Sequence, residues 1–121
     1  MQPILYVFLG GGIGSVLRYL IGLKLNQDLP YGTLVANLLG SLLIGLFLGY
    51  HLKTTNQSLS ENQMAFLVIG VFGGFTTFSS FMYENFQFLL NQEYLKFMGY
   101  ALGTISLGLI AVTIGFVVMN K

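Results

Sequence analysis

The chain has 121 residues, of which 55% are hydrophobic and 7% are charged, with no cysteine and one histidine. Roughly a quarter of the residues are charged in an ordinary soluble domain, so this composition indicates a membrane protein. The composition excludes disulfides and thiolate metal sites, the lone His51 cannot form a metal cluster by itself, and the net charge of +1 argues against a nucleic-acid partner.

Four long apolar stretches predict an all-α membrane protein with a single domain over residues 1–121. Each stretch reaches the roughly 20 residues that a helix needs to cross the hydrocarbon core. The connecting loops are too short to hold a soluble domain. The predicted spans cover about residues 3–25, 31–52, 62–90 and 94–119.

The basic residues do not decide which way this chain inserts into the membrane. Four spans put both termini on one face, which carries Lys53 and Lys121, while the other face carries Arg18, Lys24 and Lys96. Orientation follows the imbalance of Lys and Arg, and two against three gives almost no bias. Two interpretations stay open: insertion both ways, giving an antiparallel homodimer, or one orientation set by another signal.

Small and polar residues mark the first two spans. The run GGGIG at Gly10–Gly14 removes side chains, so that another backbone can approach closely. In the second span Thr33, Asn37 and Ser41 recur every four residues and therefore share a helical face. An Asn37 amide in hydrocarbon needs a partner, which is either a neighbouring helix or a transported ion.

The third span predicts an interrupted helix. Ser60 and Gln63 form a capping-box pattern, which places the helix start near residue 61. Two glycines and two threonines then follow within residues 73–77, and they predict the loss of regular hydrogen bonding at mid-membrane. Unwound backbone at that depth is tolerated where it is buried in protein or lines an ion-filled site. A continuous helix with closely packed glycines is the alternative.

Aromatic and hydroxyl side chains follow the predicted break. Phe78 and Phe81 lie three residues apart and share a face, with Ser79 and Ser80 beside them. Such rings usually pack in a core or face lipid, but the positive edge of an aromatic ring can also contact an anion. A cation path is expected to place acidic residues at depth, and here only Glu84, late in this span, is acidic. The pattern favours an anion path.

The fourth span adds a weaker polar signal. Tyr100 and Thr104 are four residues apart and can face the same way, whereas Ser106 points elsewhere on a regular helix. Hydroxyls in membrane helices often bond to their own backbone, so these residues do not by themselves define a path.

Three stretches together resemble the Fluc/CrcB fluoride channel family. They occur in the family's order and on the same helices, and the resemblance covers essentially the whole chain. The stretches are GGGIGSVLRY (Gly10 to Tyr19), PYGTLVANLLGSLLIG (Pro30 to Gly45) and GVFGGFTTFSSF (Gly70 to Phe81).

The resemblance implies a dual-topology antiparallel homodimer with two fluoride pores, each lined by both subunits. The helix breaks would cross at the dimer centre, where backbone carbonyls matching Gly73 and Thr76 enclose a structural sodium ion. The rings that meet the ion correspond to Phe78 and Phe81, and the pore asparagine corresponds to Asn37.

Other positions also match the family's pattern. Ser79 and Ser80 would lie near the ion path, Glu84 would be a vestibule carboxylate, and Arg18 matches the structural arginine that closes the first motif. Tyr100 and Thr104 fit the start of a polar track on the fourth helix, but its continuation is apolar here or shifted towards Ser106.

The implied activity is passive export of fluoride from the cytoplasm across a bacterial inner membrane. Two other classes stay open. A small multidrug-type antiporter needs a membrane-embedded carboxylate, which the first span lacks. In a non-transporting membrane scaffold, every polar residue would serve helix packing. An enzyme is not expected, because no nucleophile and base are arranged together.

Overall fold

A computed structural model describes residues 2–54 and 59–121, and the described chain is built from helices with short connections. Four segments are long and apolar enough to cross a membrane, which confirms an all-α protein with four transmembrane spans. The third of them, Glu61–Leu90, consists of two helices. The helices are α1 (Gln2–Leu25), α2 (Tyr31–Lys53), α3 (residues 61–75), α4 (Phe78–Leu90) and α5 (Tyr94–Asn120).

Glycines bring the helices into backbone contact in two pairs, α1 with α3 and α2 with α5. A Cβ atom at Gly10 or Gly14 would collide with backbone atoms of α3, and one at Gly45 would collide with the backbone of Val112 in α5. Lipid tails are as apolar as leucine, so helices in a membrane associate through such close packing. The glycine run of the first span therefore serves the contact between α1 and α3.

The start of α3 follows the predicted capping box. The Ser60 hydroxyl oxygen accepts a hydrogen bond from the Gln63 N–H at 3.3 Å, and the Ser60 N–H donates to the Gln63 side chain at 2.9 Å. One turn later the helix changes to π-helical pairing over Ala65–Phe72. Regular α-helical hydrogen bonding is therefore lost before Gly73 and Gly74 are reached. The sequence of this apolar run did not predict the change to π-helical pairing.

The interruption of the third span is confirmed, but it is narrower than the predicted window of residues 73–77. Gly73 keeps helical angles (φ −64°, ψ −39°), and α3 continues through residue 75. Only Thr76 (φ −81°, ψ 156°) and Thr77 (φ −149°, ψ 122°) are extended. Gly74 stays helical because it packs directly against the backbone of Gly11, where a side chain would not fit. Packing therefore overrides the low helix propensity of the glycines.

Candidate functional site

Asn37 holds the extended backbone between α3 and α4. Its Oδ1 accepts a hydrogen bond from the Thr77 N–H at 2.8 Å, and its Nδ2 donates to the Thr77 carbonyl oxygen at 3.0 Å. In a continuous helix that N–H would donate to the Gly73 carbonyl. The side chain from α2 thus replaces the missing helical partners. An amide nitrogen carries two N–H groups, and this bond uses one of them.

Thr77 also starts α4. Its hydroxyl oxygen accepts the Ser80 N–H at 3.2 Å and lies 3.2 Å and 3.3 Å from the hydroxyls of Ser80 and Ser79. The residue is the N-cap of a 13-residue helix. Unpaired N–H groups and the helix dipole make such an end partly positive. The start of α4 consequently presents positive potential at the middle of the third span.

The end of α3 is anchored to α1 by a cation. The Arg18 Nε–H donates to the Gly74 carbonyl oxygen at 3.1 Å, and the Ser15 hydroxyl donates to the same oxygen at 3.5 Å. A positive charge is favourable beside the C-terminal carbonyls of a helix. This contact gives a physical basis for the predicted structural role of Arg18, since it fixes the backbone two residues before the extended segment.

A cavity of about 560 Å³ adjoins the interruption. Phe81 is 5% exposed and Phe78 is 74% exposed at its edge, with ring centroids 6.0 Å apart. The Thr104 hydroxyl is buried and has no hydrogen-bond partner within residues 2–54 and 59–121. The described lining has no charged side chain. Its polar lining residues are Asn37, Ser41, Thr76, Thr77 and Thr104.

A second cavity, of about 510 Å³, lies on the α1 side and contains both Arg18 and Glu84. The two oxygens of Glu84 accept hydrogen bonds from neutral donors: the Thr33 hydroxyl at 2.5 Å and the Tyr100 hydroxyl at 2.7 Å. The Tyr100 ring packs on Phe81, with centroids 5.3 Å apart. The predicted vestibule carboxylate is therefore tied to α2 and α5 and lies close to the ring that lines the first cavity.

The structure divides the predicted site residues between these two cavities. Asn37, Phe78, Phe81 and Thr104 border the first, together with Gly73 and Thr76, whereas Ser80, Glu84 and Arg18 border the second. Tyr100 connects the two groups through Glu84 and Phe81, and Ser79 is exposed beside the cap of α4. The functional roles of these residues stay predictions.

Five residues at the site were not predicted as site residues. One is Thr77, whose signal was its place within the predicted break at residues 73–77. Thr33 and Ser41 share the polar face of Asn37, and that four-residue spacing was their signal in the sequence. Ser15 lies next to the glycine run and three residues before Arg18, which places it on the same helical side. Asn26 sits in the loop before α2, where its bonding partners could not be inferred from spacing.

These features define a class. A cavity that combines a few polar side chains with no acidic residue in its described lining, beside a discontinuous membrane helix, is typical of channels and transporters, which bind ions at such interruptions. Comparison with known proteins narrows the class, because a sequence model described as "CrcB-like protein, Camphor Resistance (CrcB)" matches residues 5–116. The chain belongs to the CrcB family.

Curated relatives are similar over nearly their whole length. A Chloroflexus aurantiacus protein is 49% identical over 95% of this chain and 93% of its own length. A Flavobacterium psychrophilum protein is 43% identical over 100% and 99%, and an Aquifex aeolicus protein is 38% identical over 97% and 96%. Each of the three relatives is named a fluoride-specific ion channel.

Proposed function

We propose that this protein is a passive, fluoride-selective channel that lets fluoride leave the cytoplasm across a bacterial inner membrane. The observation that carries the proposal is the acid-free cavity at the helix break, which combines hydrogen-bond donors with aromatic rings. Hydrogen fluoride crosses lipid and ionises in the more alkaline cell interior. A passive pore then suffices to release the trapped anion.

The chemistry of this cavity suits a small, strongly hydrated anion. Such an ion gives up water only if directed donors replace it. The second Asn37 N–H is such a donor, and so is the Thr104 hydroxyl, which has no partner among the residues that the structure describes. The edges of the Phe78 and Phe81 rings carry positive potential. The partly positive N-terminal end of α4 also favours an anion at this cavity. The names of the relatives agree with this choice of ion.

Fluoride efflux from liposomes tests this proposal. We expect vesicles that contain the purified protein to release fluoride rapidly and to retain chloride, because chloride is larger and gains less from closely spaced donors. Vesicles without protein are the control. Equal release of both halides, no release of fluoride, or proton-coupled export of a lipophilic cation would reject a fluoride channel.

We further propose that two copies assemble as an antiparallel dimer. The extended backbone at Thr76 and Thr77 beside the open first cavity supports a partner there, because irregular backbone at membrane depth is tolerated only where protein buries it or where it lines a water-filled cavity. The nearly equal numbers of basic residues at the two membrane faces support insertion in both directions.

The chain lacks cysteine, so a single Asn91→Cys variant reports its topology. We expect an impermeant thiol reagent to label about half of the protein from each side of the membrane; labelling from one side alone would contradict the dimer.

In such a dimer we propose a structural sodium ion where the two interruptions meet. The Gly73 and Thr76 carbonyl oxygens accept no hydrogen bond from any group in residues 2–54 and 59–121. Carbonyl oxygens freed at a broken helix are suitable cation ligands. A crystal structure of the dimer tests the proposal, and direct packing of the four carbonyl groups with no ion between them would refute it.

A further inference from the structure

Asn26, in the loop between α1 and α2, acts as the cap of a helix that begins five residues later. Its Oδ1 accepts hydrogen bonds from the Gly32 N–H at 2.7 Å and the Thr33 N–H at 3.4 Å. The residue at the N-cap position itself, Pro30, makes no capping bond with its side chain. The first N–H groups of a helix have no partner within the helix, so Asn26 satisfies two of them from outside.

The loop holds Asn26 in a fixed place. Its own N–H donates to the Gly22 carbonyl oxygen at 2.9 Å, which continues the pairing of α1. A Cβ atom at Gly32 would lie 2.8 Å from the Gly22 Cα and 2.8 Å from the Asn26 Oδ1. The two helices and the Asn26 side chain are therefore in direct contact at this corner, and the start of α2 cannot shift without displacing Asn26.

Thr33 connects Asn26 to Glu84 through two hydrogen bonds. Thr33 is 4% exposed, and its hydroxyl donates to Glu84 Oε1 while its N–H is held by Asn26. The other carboxylate oxygen accepts the Tyr100 hydroxyl at 2.7 Å. Asn26 and Glu84 both border the second cavity. A continuous series of hydrogen bonds thus runs from the loop through α2 and α4 to α5.

We infer that Asn26 is a positioning residue for Glu84: by capping α2 from the preceding loop it fixes Thr33, and Thr33 fixes the carboxylate at the mouth of the fluoride path. The inference rests on the proposed channel function. A cap that served stability alone would change the folded yield and leave the current of each open channel unchanged. A positioning residue acts through Thr33, so the two substitutions must be coupled.

Single-channel fluoride current in planar bilayers tests this coupling, because it is measured per open channel and does not depend on the folded yield. The variants are Asn26→Ala, Thr33→Val and the double substitution. We expect Asn26→Ala to lower the current about fivefold, and the double variant to be no lower than Thr33→Val, since residues in one hydrogen-bond network are not additive. The exposed neighbour Gln27 provides the matched control, and Gln27→Ala should conduct like the unchanged protein.

Each outcome decides the inference. A current in Asn26→Ala equal to that of the unchanged protein overturns it, and so do two reductions that multiply in the double variant. If the alanine variant does not fold, Asn26→Gln replaces it, because the longer side chain keeps the amide but moves the acceptor oxygen; unchanged current there also overturns the inference. Absence of fluoride current in the unchanged protein rejects the channel function itself, and the inference with it.

Discussion

Substituting Asn37 by aspartate is expected to reduce fluoride flux about a hundredfold or more, since two like charges about 4 Å apart repel by about 4 kcal/mol at an effective dielectric constant near 20. The cavity lining described around Asn37 has no basic side chain to offset the new charge. Aspartate also loses the N–H groups of the amide. One of these bonds the Thr77 carbonyl, and the other is free to meet an anion.

We expect Asn37→Asp to reduce the stability of the protein less than it reduces the fluoride flux. Aspartate keeps an acceptor oxygen for the Thr77 N–H, so one half of the contact between α2 and the interruption remains. The measurement is fluoride efflux from liposomes, with the amount of folded protein and its oligomeric state checked by gel filtration. Asn62→Asp is a matched control, because it makes the same chemical change at a half-buried side chain that bonds Gln2 near the start of α3 and lines neither cavity. Flux near that of the unchanged protein in Asn37→Asp would contradict a pore role for Asn37.

The sequence was sufficient to predict the features that arise from local chemistry. Apolar length predicted the four spans, and the spacing of Ser60 and Gln63 predicted where the third span begins. The threonines of the third motif predicted an interruption, since their hydroxyls compete for backbone hydrogen bonds. In the structure the Thr76 hydroxyl donates to the Phe72 carbonyl at 2.9 Å, and the Thr76 N–H donates to the same oxygen at 3.0 Å, so the two donors share the acceptor.

Features set by contacts between helices could not be predicted from local sequence. Gly73 and Gly74 have low helix propensity, yet they remain helical, because α1 packs against Gly74 and Arg18 holds its carbonyl. The cap supplied by Asn26 lies outside the spacing of ordinary capping motifs. The division of the site into two cavities likewise depends on how α2 and α5 approach α4.

The charges at the interruption form a consistent electrostatic arrangement. Arg18 lies at the C-terminal end of α3, where a helix is partly negative, and Glu84 is held by two hydroxyl groups on the far side of Phe81. The N-terminal end of α4 adjoins the cavity without a carboxylate in the described lining. The carboxylate of Glu84 is thus occupied by hydroxyl partners, while Asn37, Thr104 and two aromatic rings line the cavity. This arrangement suits an anion better than a cation.

Replacing Phe81 by isoleucine should lower fluoride flux by up to about tenfold, because aromatic contacts are worth about 0.5–1.5 kcal/mol. Phe81 is 5% exposed and packs against both Phe78 and Tyr100, so its ring lines the cavity and also supports the tyrosine that bonds Glu84. Isoleucine is apolar and fills much of the same space, so we expect a stability cost of only about 1–2 kcal/mol and an unchanged oligomeric state.

Phe86→Ile is the matched control for Phe81→Ile. It distinguishes loss of the Phe81 ring from loss of any phenylalanine on α4. Phe86 is 55% exposed on the same helix and does not line either cavity, so its replacement should leave the flux unchanged. The comparison also distinguishes a channel from a membrane scaffold. A scaffold would respond to both substitutions only through stability, whereas a channel loses flux in Phe81→Ile while the protein stays folded. Equal fluoride efflux from the two variants, at equal amounts of folded protein, would show that the Phe81 ring has no part in conduction.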